Sequence, residues 1–376
     1  MDLKDIVQKP CRIVVKIGSS LLVDQENLCV RDAWLGKLSE DIAEFRKAGH
    51  QIIVVSSGAI AIGRGQIHDD GRWQLRHAQA AAAVGQIGLA GAWAGNLQKV
   101  GCPTGQILLT LQDTEERRRY LNARDTLATL LESDVVPVIN ENDTIATEEI
   151  RFGDNDRLAA RVAAMMEADL LILLSDVDGF YDRPPSEDGA KHISLIAEVN
   201  QDIRAMAGVS GALGSGGMAT KLDAAEIACQ AGSAMVIGLG MVNHPLHALW
   251  QGARHTLFLP TSDKRAARRA WIQGSLAPKG SLLVDTGAAK ALLEGRSLLA
   301  VGIISLEGQF RRGDSIEVQD EDGRLLGVGL AGYDAQDVQR IIGKNSHEIT
   351  DILGPGQRGA VIHRDHLVVK SRGLDG

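Results

Sequence analysis

Cysteine is scarce in this chain: four residues in 376 (Cys11, Cys29, Cys102, Cys229), none in a C-x-x-C pair. That excludes a disulfide framework, and the four read as reduced core thiols of a cytoplasmic protein. Histidines fall in no metal-ligand order and no G-x-S-x-G serine elbow occurs, so neither zinc nor acyl-serine chemistry is supported. No window approaches 18 uncharged apolar residues, and the start "MDLKDIVQKPCRIVV" is charged where a signal peptide is apolar. Membrane insertion and export are not expected. Positive charge is not in excess either: a net charge of -8 gives no basic field for gripping nucleic acid or an anionic membrane. Two phosphate-binding signatures are also missing. There is no G-x-x-x-x-G-K-[ST], and no G-x-G-x-x-G follows the first strand-like run, which argues against a P-loop enzyme and a dinucleotide oxidoreductase.

What remains is an ordinary globular composition, 44% hydrophobic and 23% charged, with 42 glycines for tight turns and close backbone approaches. The length predicts two domains. Up to about residue 260, short β-rich runs alternate with helical patterns; the runs are "RIVVKIG", "QIIVVSSG", "TGQILLT", "VVPVIN", "DLLILLSD" and "SAMVIGLG". Helices are predicted over residues 34–47, 74–98, 120–132, 157–166 and 218–230, and in the fourth Leu158, Val162 and Met165 share one face. This alternation predicts an α/β domain over residues 1–260, a mostly parallel sheet sandwiched by helices. Ligands bind such sheets beyond the C-terminal ends of the strands.

Near residue 260 the texture changes. Lys264, Arg265, Arg268 and Arg269 lie in a short helical stretch, followed by Gly274, Pro278 and Gly280, and residues 261–280 read as a linker. Short runs such as "SLLVD", "DSIEVQD" and "GAVIHRDHLVV", separated by Gly and Asp turns, predict a small β-barrel-like domain over residues 281–370. From Val284 to Gly376 eleven Lys and Arg stand against fourteen Asp and Glu. Nucleic-acid binding is therefore not expected of it, and the basic linker cluster reads as a solvated helix face.

Chemistry concentrates at the predicted strand ends. Lys16 ends an apolar strand ahead of Gly18, Ser19 and Ser20. Alone it reads as a lysine reaching solvent; with the N–H groups of that turn it makes a phosphate cradle. Ser56, Ser57 and Gly58 close the second strand and open a helix, where a serine either caps the helix or helps it hold an anion. "GALGSGGMATKLDAAEIA" puts Gly211, Gly214, Gly216 and Gly217 ahead of a helix with Lys221 in its first turns. A cation there opposes the helix dipole, which a bound anion would explain; a solvated lysine on a surface loop is the alternative. Asn140, Glu141, Asn142, Asp143, Asp154, Asn155 and Asp156 exceed the one residue that capping a helix needs. A carboxylate and amides at a strand edge suit a small zwitterion. Asp154 and Asp156 could also hold Mg²⁺, although acids in a loop are commonly just solvated. Ser175, Asp176 and Asp178 end the fifth strand in a glycine turn, which is either turn chemistry or a nucleotide contact.

Together "VVKIGSSLL", "VVSSGAIAIGR", "LNARDTLATLL", "VVPVINENDTI", "FGDNDRLAA", "LLLSDVDGFY" and "GSGGMATKLDAA" resemble the glutamate 5-kinase family of the amino-acid kinase superfamily. The stretch from "VDTGAAKALLEG" to "GLAGY" resembles the PUA domain that such bacterial kinases often append. The likeness covers nearly the whole chain in order, and "INEND" with "GDND" is its most specific part. It implies ATP-dependent phosphorylation of the γ-carboxylate of L-glutamate to glutamyl 5-phosphate, the first step towards proline. N-acetylglutamate or aspartate would be the alternative acceptors, and RNA binding through the PUA domain the rival function. By motif, the resemblance implies that Lys16 and Lys221 contact the phosphates and the transferring group, with Asp156 positioning both. Ser57, Gly58, Asn140, Asp143 and Asn155 would bind glutamate. Gly18, Ser19, Ser175, Asp176, Ser215, Gly216, Gly217, Met218, Ala219 and Thr220 would join the two lysines in binding ATP. Mg²⁺ would be carried mainly on the ATP phosphates, with Asp154 a candidate contact. A homo-oligomer, dimer or tetramer, and feedback by L-proline are further implications.

Overall fold

The computed structural model describes residues 3–7, 9–67, 73–145, 154–207, 217–264, 266–267, 278–354 and 359–369. Two compact units divide the chain, Met1–Lys264 and Arg265–Gly376. In the first, eight strands form one sheet: β1 (Arg12–Ile17), β2 (Gln51–Ser56), β3 (Thr104–Leu109), β4 (Val136–Glu141), β5 (Leu170–Ser175), β6 (Leu195–Ile196), β7 (Ala234–Leu239) and β8 (His255–Phe258). Their order is β6-β8-β7-β5-β1-β2-β4-β3. Neighbours are parallel except β7 with β8. Six of these strands coincide with the six predicted runs. The other two, β6 and β8, are too short to show alternation and lie together at one edge.

Both faces of the sheet are covered, which is why its strands read as near-continuous Ile, Val and Leu. In β1, Ile13, Val15 and Ile17 enter one core with Leu35, Leu38 and Trp93. Val14 enters the other with Leu158, Val162 and Leu222. Side chains alternate along a strand, so Lys16, two residues past Val14, faces the second layer. The helices that frame the site are α1 (Asp32–Lys47), α2 (Ala59–Gly63), α3 (Leu75–Lys99), α4 (Arg117–Glu132), α5 (Asp154–Met165) and α6 (Met218–Gln230). α1 and α3 pack in the first layer, α5 and α6 in the second.

Two details position the site. α5 begins three residues before the predicted Arg157. Its first turn is acidic, which the positive end of a helix dipole favours; Asn155 and Asp156 are therefore helical residues and not the loop ahead of the helix. α2 meets α3 backbone to backbone: a Cβ on Gly63 would stand 1.9 Å from the Ala81 carbonyl oxygen, and one on Gly85 1.9 Å from that of Ala59. That contact seats the start of α2, and with it Ser57 and Gly58, on α3.

Three cysteines are buried, but Cys29 is exposed on a short strand, so it is not the core thiol expected. In the second unit β9 (Gly280–Val284), β10 (Ile303–Gly308), β11 (Ser315–Gln319), β12 (Leu325–Leu330) and β13 (Leu367–Val369) form a separate sheet ordered β10-β9-β11-β12-β13. Leu282, Val284, Ile316, Val338 and Ile362 lie in its core. Among the described residues no helix is long and apolar enough to cross a membrane.

Candidate active site

Strand register assembles the site. Ile17 pairs with Ser56 on β2 and with Leu174 on β5, and Val55 pairs with Ile139 on β4. Asn140, Ser57, Gly18 and Ser175 therefore stand in one row along the C-terminal edge of the sheet. Residues spread over more than 150 positions of sequence share one crevice.

At the centre of that row Lys16 reaches the second layer and pairs with Asp156 Oδ1, while Lys221 Nζ lies 3.1 Å from Asp156 Oδ2. Asp156, in the first turn of α5, is 1% exposed. Thr220 Oγ1 stands 3.4 Å from the same Oδ2 and donates to the Gly217 carbonyl at 2.8 Å. Burial alone would push the Asp156 carboxyl up, but the two ammonium groups outweigh it and hold the carboxyl below its ordinary value. Two cations share one anion, leaving one net positive charge. The solvated loop lysine weighed for Lys221 is not what the structure shows. Next to this triad Arg157 donates to Asp223 at 2.7 Å, tying α5 to α6 a second time. A Cβ on Gly18 would stand 3.8 Å from Lys16 Nζ, so this turn and the lysine head occupy the same crevice.

On the β2–β4 side lies an amide cluster. Asn155 Nδ2 donates to Ser57 Oγ at 2.7 Å and to Asn140 Oδ1 at 3.3 Å. Asn140 Nδ2 in turn donates to Gln86 Oε1 at 2.7 Å. Ser57 is not a helix cap: Gly58 holds the position before α2, at φ +116°, and no side chain caps it. A left-handed backbone there is natural only for glycine, and a Cβ would stand 3.0 Å from Val23. Asp143 is buried just beyond β4. Asn142, by contrast, is turn chemistry: its Oδ1 accepts from Thr144 Oγ1 at 2.6 Å.

On the β5–α6 side, Ser175 is buried and donates to Asp176 Oδ1 at 3.0 Å, while Asp176 itself is exposed. Gly217 precedes α6, whose N-terminus has no side-chain cap. The first-turn N–H groups of Met218 and Ala219 have no intrahelical acceptor, the arrangement that binds phosphate, while that of Thr220 donates to the Gly217 carbonyl at 3.1 Å. Ser19 opens the single turn Ser19–Leu22 with Gly18 before it. Ser215, Gly216 and the Asp154 side chain lie outside the described residues. Among those described, no group of three or more His, Cys, Asp or Glu could hold a metal ion.

One participant escaped sequence reasoning. Gln86 is the single polar side chain between Gln79 and Asn96 on a helix of small residues, and that isolation was the available signal.

A sheet edge where lysines converge on a buried carboxylate is built for an anionic ligand, and comparison with known proteins gives the class. The amino acid kinase family model matches residues 12–238, and the PUA domain model residues 280–353. Glutamate 5-kinase of Rhodopseudomonas palustris strain HaA2 is 54% identical over 361 residues, spanning 95% of this chain and 96% of that protein. Glutamate 5-kinase of Bradyrhizobium sp. strain BTAi1 is 52% identical over 368 residues, 97% of each. That of Nitrobacter hamburgensis is 53% identical over 361 residues, 95% of each. Among solved structures, UMP kinase from Ureaplasma parvum aligns at 17% identity with TM-score 0.49, over 67% of this chain and 99% of that one. The chain belongs to the amino acid kinase family and, within it, to the glutamate 5-kinases.

Proposed function

We propose that this protein transfers the terminal phosphoryl group of ATP to the γ-carboxylate of L-glutamate, forming L-glutamyl 5-phosphate for proline synthesis. One observation carries the reading. The row along the sheet edge sets an amide and carboxylate cluster on one side of Lys16 and an uncapped helix N-terminus on the other. An amino acid and a nucleotide fit the two halves, and they meet at the lysines.

The acceptor needs no general base, because a glutamyl carboxyl is ionised well above its ordinary pKa of about 4.3. Its oxygen attacks the terminal phosphorus, a new P–O bond forms, and the bond to the bridging oxygen breaks, so that ADP leaves with the electron pair. The obstacle is bringing an anion to a polyanion, which positioning and positive charge overcome. Lys16 and Lys221 supply that charge, and Asp156 holds their heads together. Ser57, Gly58, Asn140, Asp143 and Asn155 hold glutamate; Gly18, Ser19, Ser175, Asp176 and the start of α6 hold ATP. Mg²⁺ would enter mainly on the ATP phosphates and neutralise part of their charge, with Asp154 a candidate contact. Feedback by L-proline, assembly into a dimer or tetramer and a cytoplasmic location complete the proposal, on family likeness alone.

ATP turnover measured with L-glutamate, N-acetylglutamate and L-aspartate tests the assignment. Glutamate is expected to give the highest kcat/KM, and a preference for either of the others would reject it.

A further inference from the structure

We propose that Gln86 is a positioning residue for substrate recognition: through Asn140 it fixes which end of the Asn155 amide faces the acceptor, and so selects an acceptor with a free ammonium group. The inference rests on the glutamate reading of this site.

A side-chain amide donates at one end and accepts at the other, so a chain of amides has a direction. Here the direction starts at Gln86. Its Oε1 accepts from Asn140 Nδ2 at 2.7 Å, which turns Asn140 Oδ1 towards Asn155. Asn155 Nδ2 donates to that oxygen at 3.3 Å and to Ser57 Oγ at 2.7 Å. The Asn155 NH₂ group is then spent. Its Oδ1 is buried and finds no hydrogen-bond partner among the described residues.

A buried acceptor without a partner is costly, and a ligand that donates to it recovers that cost. Glutamate has one donor group, its ammonium, because both carboxylates only accept. With the amides reversed, Asn155 would offer its NH₂ group and favour a carboxylate instead. Gln86 touches no reacting atom in this account. It sets the polarity of two amides that do the recognition, from a helix held in place by the Gly63–Gly85 contact.

The test uses glutarate, the same dicarboxylate chain without the ammonium group, as substrate or as competitive inhibitor. Full-length wild type, Gln86→Met and Gln86→Glu are compared for glutamate KM, glutarate KM or Ki, ATP KM and Tm. Loss of one recognition hydrogen bond predicts that Gln86→Met raises the glutamate KM about tenfold and leaves glutarate and ATP nearly unchanged, with a small fall in Tm from the buried Asn140 amide it leaves unpaired. The preference for glutamate over glutarate then falls by the same factor. Gln86→Glu keeps an acceptor for Asn140 Nδ2 and is expected to restore most of that preference. An unchanged preference in Gln86→Met would overturn the inference, and so would an equal weakening of both acceptors accompanied by a lower Tm, the mark of a packing role. A wild-type protein that does not phosphorylate glutamate would remove the underlying reading, an outcome visible before any variant is compared.

Discussion

Lys221 Nζ stands 3.1 Å from one oxygen of Asp156, whose other oxygen pairs with Lys16. One carboxylate thus joins the end of β1 to the first turn of α6. The two lysines are 205 positions apart in sequence, and Asp156 makes them one positively charged site.

Replacing Asp156 with Asn leaves two largely buried ammonium groups without their counter-charge. Breaking a buried pair in this way costs about 3–5 kcal/mol, which chemical denaturation would register. The pH dependence has a definite sign. The folded carboxyl lies below its ordinary value of 3.8, so its stabilisation is complete above that value and is lost as pH falls through the lower folded one. The stability gap between wild type and variant should stay constant at neutral pH and narrow only below 3.8. A gap that narrows near neutrality would contradict the assignment.

Lys16→Ala and Lys221→Ala should each lower kcat by about 10²-fold or more, as removal of a donor that stabilises developing charge typically does. Wild-type turnover in either purified, folded variant would remove that lysine from the mechanism.

Asp143→Ala separates the two halves of the crevice. Loss of a buried carboxylate partner for the ammonium group should raise the glutamate KM by about tenfold or more, with ATP KM little changed. Parallel increases in both would indicate general damage to the segment after β4.

Within α3, two glycines make opposite predictions. Gly85→Ala puts a Cβ 1.9 Å from the Ala59 carbonyl, whereas Gly91→Ala meets nothing within 4 Å. The first should destabilise by more than the about 1–3 kcal/mol of ordinary overpacking, and the second should stabilise by up to about 1 kcal/mol through helix propensity. Thermal melts of both variants check the pair, and equal Tm values would dismiss the backbone contact.

Thiol chemistry checks the core. Burial pushes the Cys229 thiol up to about 12 and also raises that of Cys11. Of four free cysteines only Cys29 is exposed, so a thiol reagent should label it first in the native protein and all four after denaturation. Prompt labelling of Cys229 would show that its layer opens.

Much of this architecture was legible in the sequence because β1, β2, β4, β5 and β7 are buried on both faces and so present unbroken aliphatic runs. β6 and β8 lacked such runs, and their place at the edge came only from pairing. Periodicity placed Leu158, Val162 and Met165 on one face of α5, but not which face would meet Lys16. The start of α5 was misplaced because Asp154, Asn155 and Asp156 suit a cap, a loop and a first helical turn equally well. Lys16, Asp156 and Lys221 were singled out by their places at a strand end and at helix starts, and resemblance gave their roles; their ion pairs depend on strand register and helix packing, which no local pattern encodes. Gln86 stayed hidden for the same reason, since its partner Asn140 lies 54 residues away on another element.

The central claim is transfer to the γ-carboxylate of glutamate, and the product itself tests it most directly. An acyl phosphate reacts with hydroxylamine, so protein, MgATP, L-glutamate and hydroxylamine together should yield glutamyl γ-hydroxamate in step with ADP. Yield should require ATP and fall by about 10²-fold in Lys16→Ala. ADP release without hydroxamate, or hydroxamate formed equally well by Lys16→Ala, would contradict the account.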